Sequence, residues 1–371
     1  MFPVSGRAET ERSVKQADSH DEGYLQVTGP CDFKFPRDHG AHPGYRVEWW
    51  YYTGHIHSES GKPYGFQLTF FRIQISPPDS ESEWPEKSSA WRTKQVFLAH
   101  AALSDLNRKR FYFDEQMARG ALGLAGAVKQ DNDIKVFVGS WSAVLTPERH
   151  FLKAVSDNFS FTLQCRPLKP PVAHGNRGYS LKGSRNENAS CYYSFTRLEV
   201  AGTLKLGDEA FKVDGSAWMD HEYSTAPLED KITGWDWFSL QLSDETELMI
   251  YLLRLDGGGY HPASSGTFVD PLGEARHLSK KDFQIRIMDQ WKSPRTGAVY
   301  PCGWRFRVMP LNMDLNVFSD LPDQELVTQK SIQVIYWEGS VSAKGVGSGN
   351  ALEGKGYAEM TGYANSFDLL N

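Results

Sequence analysis

The densest run of chemically capable side chains is Gly215-Ser216-Ala217-Trp218-Met219-Asp220-His221-Glu222-Tyr223. Read as a strand, whose side chains alternate between two faces, it sets Trp218, Asp220 and Glu222 on one side. Met219, His221 and Tyr223 then share the other. Gly234-Trp235-Asp236-Trp237 presents two indoles on one face and a carboxylate opposite, and Glu48, Trp50 and Tyr52 place another acid beside aromatic rings. A carboxyl pressed against indole is desolvated, so its pKa rises and it can keep a proton to deliver as a general acid. The same rings stabilise a developing cation through their π faces. An apolar cup with a few polar handles is the usual anatomy of a small-molecule pocket.

The chemistry these residues suit is protonation of a double bond followed by addition of water. Asp220 is the candidate acid, with His221, Tyr223 or His100 positioning water. Glu48, Trp50, His100, Trp218, Trp235, Asp236 and Trp237 are the candidate ligand-binding set. One condition attaches: Asp220 and His221 point to opposite faces unless a bulge intervenes. A plain reading stands beside the functional one. Tryptophans on strands fill cores, and an acid next to one often ties down an indole N–H or an arginine.

The histidines raise a metal question. His39 and His42 lie three apart, His55 and His57 share a strand face, and His100 and His221 follow in separate strands. A two-His-one-carboxylate site could be assembled from them, but no HExxH-type spacing occurs. They read as surface or structural residues, and neither metal nor cofactor is expected. There is no GxSxG elbow, which excludes an α/β-hydrolase. Gly349 to Lys355 imitates a phosphate loop but is followed by Gly356 rather than Ser or Thr.

The elements that must position these residues are strands. The chain has 371 residues, 13% aromatic, with 33 Gly and 19 Pro, a balance that argues against a helical bundle. Short aromatic and β-branched stretches separated by turn-formers run from Trp50–Ile56 to Tyr357–Tyr363, the pattern of a sandwich or barrel. They include Ile134–Leu145, Tyr192–Phe195 and Leu198–Leu206. The only helical candidate is Asp114–Gly123. Residues 76–94 and 167–188 read as long loops.

The length suggests two domains: a flexible arm over 1–22, an N-terminal β domain over 23–225 and a C-terminal β domain over 226–371. A repeat supports the division. Glu48-Trp49, a turn and a strand ending in Arg72 parallel Asp236-Trp237, a turn and a strand ending in Arg254.

The net charge of −6 and the absence of a basic stripe argue against nucleic acid as a partner. No stretch approaches the ~20 apolar residues of a membrane helix, and residues 1–22 are too polar for a signal peptide. The chain is either cytosolic or a mature form. Cys31, Cys165, Cys191 and Cys302 contain no CxxC pair; they read as scattered thiols, although Cys165 and Cys191 could close one loop by a disulfide in an oxidising compartment.

A series of blocks carries a family resemblance: Phe35-Pro-Arg-Asp-His-Gly-Ala-His42, Glu48-Trp-Trp-Tyr-Tyr-Thr-Gly54, Gly65-Phe-Gln-Leu-Thr-Phe-Phe-Arg72, Ala99-His-Ala-Ala-Leu-Ser-Asp105, Ala217-Trp-Met-Asp-His-Glu222, Gly234-Trp-Asp-Trp-Phe238, Tyr336-Trp-Glu-Gly339 and Gly356-Tyr-Ala-Glu-Met-Thr-Gly-Tyr363. In this order, over about residues 25–365, they resemble the AttH-like family, which groups with carotenoid 1,2-hydratases (hydroxyneurosporene synthases). The resemblance implies two lipocalin-like antiparallel β-barrel domains packed side by side, with a cavity in or between them. It also implies a hydrophobic isoprenoid- or lipid-like small molecule as partner, hydrated without a cofactor or simply carried. Related proteins of this fold act as Diels–Alderases. AttH-like proteins carry the label of secreted hydrolase, which implies a secreted or periplasmic setting. The blocks are closer to the AttH-like branch than to the hydratases, and a carotenoid is not singled out as substrate.

Overall fold

The computed structural model describes residues 22–83, 89–226 and 228–364; the expected arm over 1–22 lies almost wholly outside them. The fold is all-β, in two curled antiparallel sheets. The first contains β1 (Val47–Ser58), β2 (Pro63–Gln74), β3 (Gln95–Asp105), β4 (Arg110–Arg119), β5 (Ala125–Gln130), β6 (Asp133–Val138), β7 (Trp141–Leu145), β8 (His150–Val155), β9 (Phe159–Pro167), β10 (Val172–Ala173), β11 (Tyr179–Leu181), β12 (Ala189–Leu206) and β13 (Glu209–Ser224). The second contains β14 (Ile232–Leu242), β15 (Glu247–Leu255), β16 (Ser265–Val269), β17 (Ala275–Ser279), β18 (Phe283–Lys292), β19 (Val299–Val308), β20 (Met313–Ser319), β21 (Glu325–Val327), β22 (Ile335–Gly347) and β23 (Asn350–Thr361).

The first sheet runs β4-β3-β2-β1-β13-β12-β9-β8-β7-β6-β5 and curls into a nearly closed barrel. The second, β17-β16-β15-β14-β23-β22-β20-β19-β18, forms a half-barrel. Each wraps its own apolar core. Trp50, Phe66, Phe70, Trp141 and Met219 fill the first, and Phe238, Trp304, Phe306 and Trp337 the second. A third cluster lies between the sheets, on faces turned away from both interiors. It joins Tyr51, Tyr192 and Trp218 to Trp237, Tyr251 and Tyr357. We call this zone the seam. Close approach there depends on Gly65, where a Cβ would stand 2.5 Å from the Tyr357 hydroxyl.

The repeated hairpins are both built on an acid–arginine pair. Glu48 and Arg72 face each other across β1 and β2 and are joined at 2.7 Å. Asp236 and Arg254 pair across β14 and β15.

Several expectations are corrected. Asp114–Gly123 is not helical: its first half belongs to β4, whose residues pair with β3 throughout. Ile134–Leu145 is a hairpin, split where Gly139 adopts φ +56°, a conformation glycine takes without steric cost. Tyr192–Phe195 and Leu198–Leu206 form one strand with a register shift between Phe195 and Leu198. The disulfide joins Cys31 to Cys191, leaving Cys165 a free buried thiol. Alternation turns Cys165 into the barrel core, while Cys191 lies against the segment that precedes β1.

Residues 167–188 are not a free loop but a strap across the seam. Its short strands β10 and β11 pair with β12. It is fixed to the second sheet by Lys169 on Glu247 (2.8 Å), His174 on Thr267 (2.8 Å) and Ser184 on His261 (3.0 Å). Among the described residues no helix is long and apolar enough to cross a membrane.

Candidate functional site

Strand β13 divides the expected residues between two compartments. Its pairing with β1 is unbroken from Val47–Ser224 to Ser58–Val213, so no bulge rotates one residue relative to the next. His221 and Tyr223 therefore face the barrel interior and Asp220 faces the seam. The expected catalytic trio is not brought together.

On the barrel side Glu48 organises a dense network. Its Oε1 accepts hydrogen bonds from His42 Nδ1 (2.7 Å) and His221 Nε2 (2.8 Å), and its Oε2 from Arg72 Nε (2.7 Å) and the His42 backbone N–H (2.9 Å). Tyr193 donates to His221 Nδ1 (2.9 Å) and accepts from His39 Nδ1 (2.7 Å). Trp50 stacks on His221 and Tyr223 on His42, with centroids 4.8 and 3.7 Å apart. Burial alone would raise the Glu48 pKa, but Arg72 and the two imidazoles prevail and hold it far below the usual carboxylate range. Burial lowers the pKa of His221, and that of His39 to about 3. These rings stay neutral, and the carboxylate is ionised.

His42, Glu48 and His221 also lie close enough together to hold a metal ion. The nitrogens nearest Glu48 already direct their N–H bonds at its oxygen, and Arg72 neutralises the carboxylate from the other side. The donor set is explained by these bonds and by that charge.

On the seam side the chemistry is reversed. Ser194, Asp220, Tyr51 and Thr69 form one row across β12, β13, β1 and β2. Trp237, Glu359 and Glu338 form a corresponding row in the second sheet. Asp220 receives Trp218 Nε1–H at 2.5 Å, Tyr192 Oη–H at 3.0 Å and a short contact from Ser194 Oγ. Trp237 donates to Tyr192 Oη (3.1 Å), and His174 Nε2 meets Ser194 Oγ (2.6 Å). Trp235 donates to Glu359 Oε2 (2.8 Å). Glu338 Oε2 accepts from Gln67 (2.8 Å). Its Oε1 and the Tyr51 hydroxyl make no hydrogen bond of good geometry, although each perturbs the other's proton affinity.

Among the described residues none of Asp220, Glu338 and Glu359 forms an ion pair; Lys182 is paired with Glu222 at 2.9 Å. Burial pushes the pKa of Asp220 to about 7. It pushes Glu359 to about 7 as well, and Glu338, directly opposite Glu359, well above its ordinary value. Buried acids that retain protons near neutrality are candidates for a functional site.

The remaining expected residues separate in the same way. Trp218, Trp235 and Trp237 line the seam, while Glu48 and Trp50 lie inside the barrel. Asp236 faces the half-barrel interior, bound to Arg254 and to Tyr363 (3.2 Å). His100 is at the far end of the seam, bridging the sheets through Tyr336 Oη (2.7 Å) and Ser331 Oγ (3.1 Å). Tyr51, His174, Tyr192, Ser194, Glu338 and Glu359 were not among the candidates. Their signal was present in the alternation of Ser190, Tyr192 and Ser194, and in the acids of Tyr336-Trp-Glu338-Gly and Tyr357-Ala-Glu359-Met.

The comparisons with known proteins agree with this architecture. The AttH-like family model matches residues 26–363. The chain belongs to the AttH-like family. A crystal structure described as a putative AttH from Nitrosomonas europaea is 32% identical, with a TM-score of 0.80, covering 91% of this chain and 99% of that one. Kievitone hydratase from Nectria haematococca is 15% identical with a TM-score of 0.69, covering 92% of this chain and 96% of that one. CghA, solved with Sch210972, is 11% identical with a TM-score of 0.54, covering 93% and 97%. At these last two identities the likeness is one of fold. A search of the curated proteins returned no match.

Proposed function

We propose that this AttH-like protein is a cofactor-independent hydro-lyase that adds water to a double bond of a neutral isoprenoid- or lipid-like molecule held in the seam. The observation that carries this reading is the setting of Asp220, a buried carboxyl that receives an indole, a phenol and a serine hydroxyl but no counter-cation among the described residues; burial raises its pKa to about 7, so it can hold a transferable proton at neutral pH. General acids work best with a pKa near the operating pH. Trp218, whose N–H it accepts, and Trp237, bonded to Tyr192, belong to the same cluster and offer indole rings for a cationic intermediate. Ser194 links the acid to His174, which offers a route for restoring its proton. Lys182 is committed to Glu222, which disfavours an anionic ligand. A relative of the same fold bears the name of a hydratase, which supports the class of reaction by analogy.

Serine hydrolysis fits the geometry poorly. Ser194 lies between Asp220 and His174, whereas a hydrolytic triad needs the histidine in the middle.

The test is incubation with a panel of isoprenoid and fatty alkenes in heavy-oxygen water, followed by mass spectrometry. Incorporation of one labelled water by the unaltered protein and its loss in Asp220→Asn are expected. Equal incorporation by that variant would sink the assignment.

A second reading, carriage without conversion, is favoured by a hollow of about 500 Å³ at one end of the half-barrel, lined in part by Phe268, Leu311, Met313 and Leu352. Its lining is mixed, with Ser243, Asp244, Ser348 and Asn350 beside the apolar side chains, and its volume is that of a drug-sized ligand site. Organic extraction and native mass spectrometry distinguish the two readings, because a carrier retains an unaltered apolar molecule and converts nothing.

A further inference from the structure

Two residues along β1 from Tyr51, the row of acids gives way to a different arrangement. Thr53 lies opposite Trp218 across β1 and β13, and His55 follows on the same face. A cavity of about 10 Å³ is lined there by Thr53, His55, Trp218, Ser239, Gln241 and Tyr357, among others. A single water needs about that much room and a few polar partners. Thr53 Oγ1 and His55 Nδ1 are both buried and have no protein partner.

Their chemistry is complementary. His55 Nε2 donates to the Gly356 carbonyl at 2.8 Å, which fixes the ring proton on that nitrogen and leaves Nδ1 as a bare lone pair. Burial keeps the ring neutral, lowering its pKa to about 4. The Thr53 hydroxyl can donate and accept. Trp218, which lines the same cavity, directs its indole N–H at Asp220. The cavity therefore touches the residue that holds the acid.

We infer that this cavity is a built site for one water molecule, held by His55 Nδ1 as acceptor and by Thr53 Oγ1, and that this water is the one that adds. The inference rests on the hydration reading above. A strand rises about 3.3 Å per residue, so the two-residue step sets the Thr53 row about 7 Å along the strand from the Asp220 row. Trp218 occupies the interval, so a double bond with contacts of about 3–3.5 Å on either side enters as that ring turns aside.

The step balances. Asp220 gives its proton to one alkene carbon, using the π pair to form the C–H bond. An oxygen lone pair of the water then forms the C–O bond at the other carbon. The resulting oxonium passes its surplus proton to His55 Nδ1; as product leaves, His55 releases that proton to solvent and one returns to Asp220 by way of His174 and Ser194. An oxonium is so strong an acid that a weakly basic, buried imidazole suffices to deprotonate it.

A crystal structure of the unaltered protein at a resolution that shows waters tests the site. One water within about 2.6–3.2 Å of both His55 Nδ1 and Thr53 Oγ1 is expected. Water-proton magnetic relaxation dispersion should count one fewer long-lived buried water in Thr53→Val and in His55→Leu. The inference is overturned if no water bridges the two atoms, or if a folded variant of either kind keeps the full count. Infrared detection of the Asp220 proton is a separate arm. An ionised Asp220 beside an ordered water overturns the hydration reading and the water's role in it; a protonated Asp220 with no water overturns the site alone.

Discussion

Glu48 and Asp220 lie on adjacent strands, and both are essentially removed from solvent, yet they are opposite kinds of acid. Glu48 has Arg72 on one oxygen and two imidazole N–H groups on the other, and is ionised. Asp220 has an indole, a phenol and a serine hydroxyl but no ion pair, and keeps its proton to about pH 7. Burial is common to both, so burial does not decide the charge; the counter-ion does. The barrel side is built as a closed electrostatic unit, and the seam side as a store of protons.

The sharpest way to break the comparison is to remove the counter-ion. Arg72→Leu leaves Glu48 buried without its cation, and chemical denaturation should show a loss of about 3–5 kcal/mol. In Asp220→Asn, stability should change by about 1 kcal/mol, while turnover falls about 10²–10⁴-fold. Cys31→Ser removes the tether of the segment that carries His39 and His42, and should cost about 2–4 kcal/mol. Their imidazole NMR signals should move towards solvent-like positions while the Asp220 infrared band stays in place.

The pH dependence separates the two sides more subtly. Glu48 has a depressed folded pKa, so its stabilisation is present above its ordinary unfolded value of 4.5 and is lost as pH falls towards its folded value. Asp220 and Glu359 have raised values, so their contribution is complete below their unfolded values near 4 and is lost as pH rises through about 7. Denaturation at a series of pH values should show Glu48→Gln flattening the acid limb and Asp220→Asn the alkaline limb. Interchanged limbs would refute the comparison.

The period of two in Trp218 to Tyr223 was enough to place Asp220 and His221 on opposite faces, and that of Trp235 to Trp237 enough to set two indoles against an acid. The Glu48-to-Arg72 and Asp236-to-Arg254 repeat was also legible, because a hairpin brings its ends together whatever its turn length. Two kinds of information were not. Which face meets the second sheet depends on packing between strands far apart in the chain, so Tyr51, Glu338 and Glu359 gave no local sign of converging on Asp220. The disulfide was hidden for the same reason, since Cys31 reaches Cys191 across 160 positions. The Asp114–Gly123 stretch looked helical by default, although its pairing with β3 overrides local preference.

The strap over residues 167–188 has a kinetic consequence. Asp220 is only 4% exposed, and the segment over it is latched to the second sheet at Lys169, His174 and Ser184. Contacts that share one backbone release together, so a ligand of the kind proposed, entering past the strap, would reach the acid only in the unlatched state. Apparent affinity is then diluted by the population of that state, and arrival is paced by the strap rather than by diffusion. A greasy solute that meets the protein briefly would leave unbound, and one already lodged would be slow to escape.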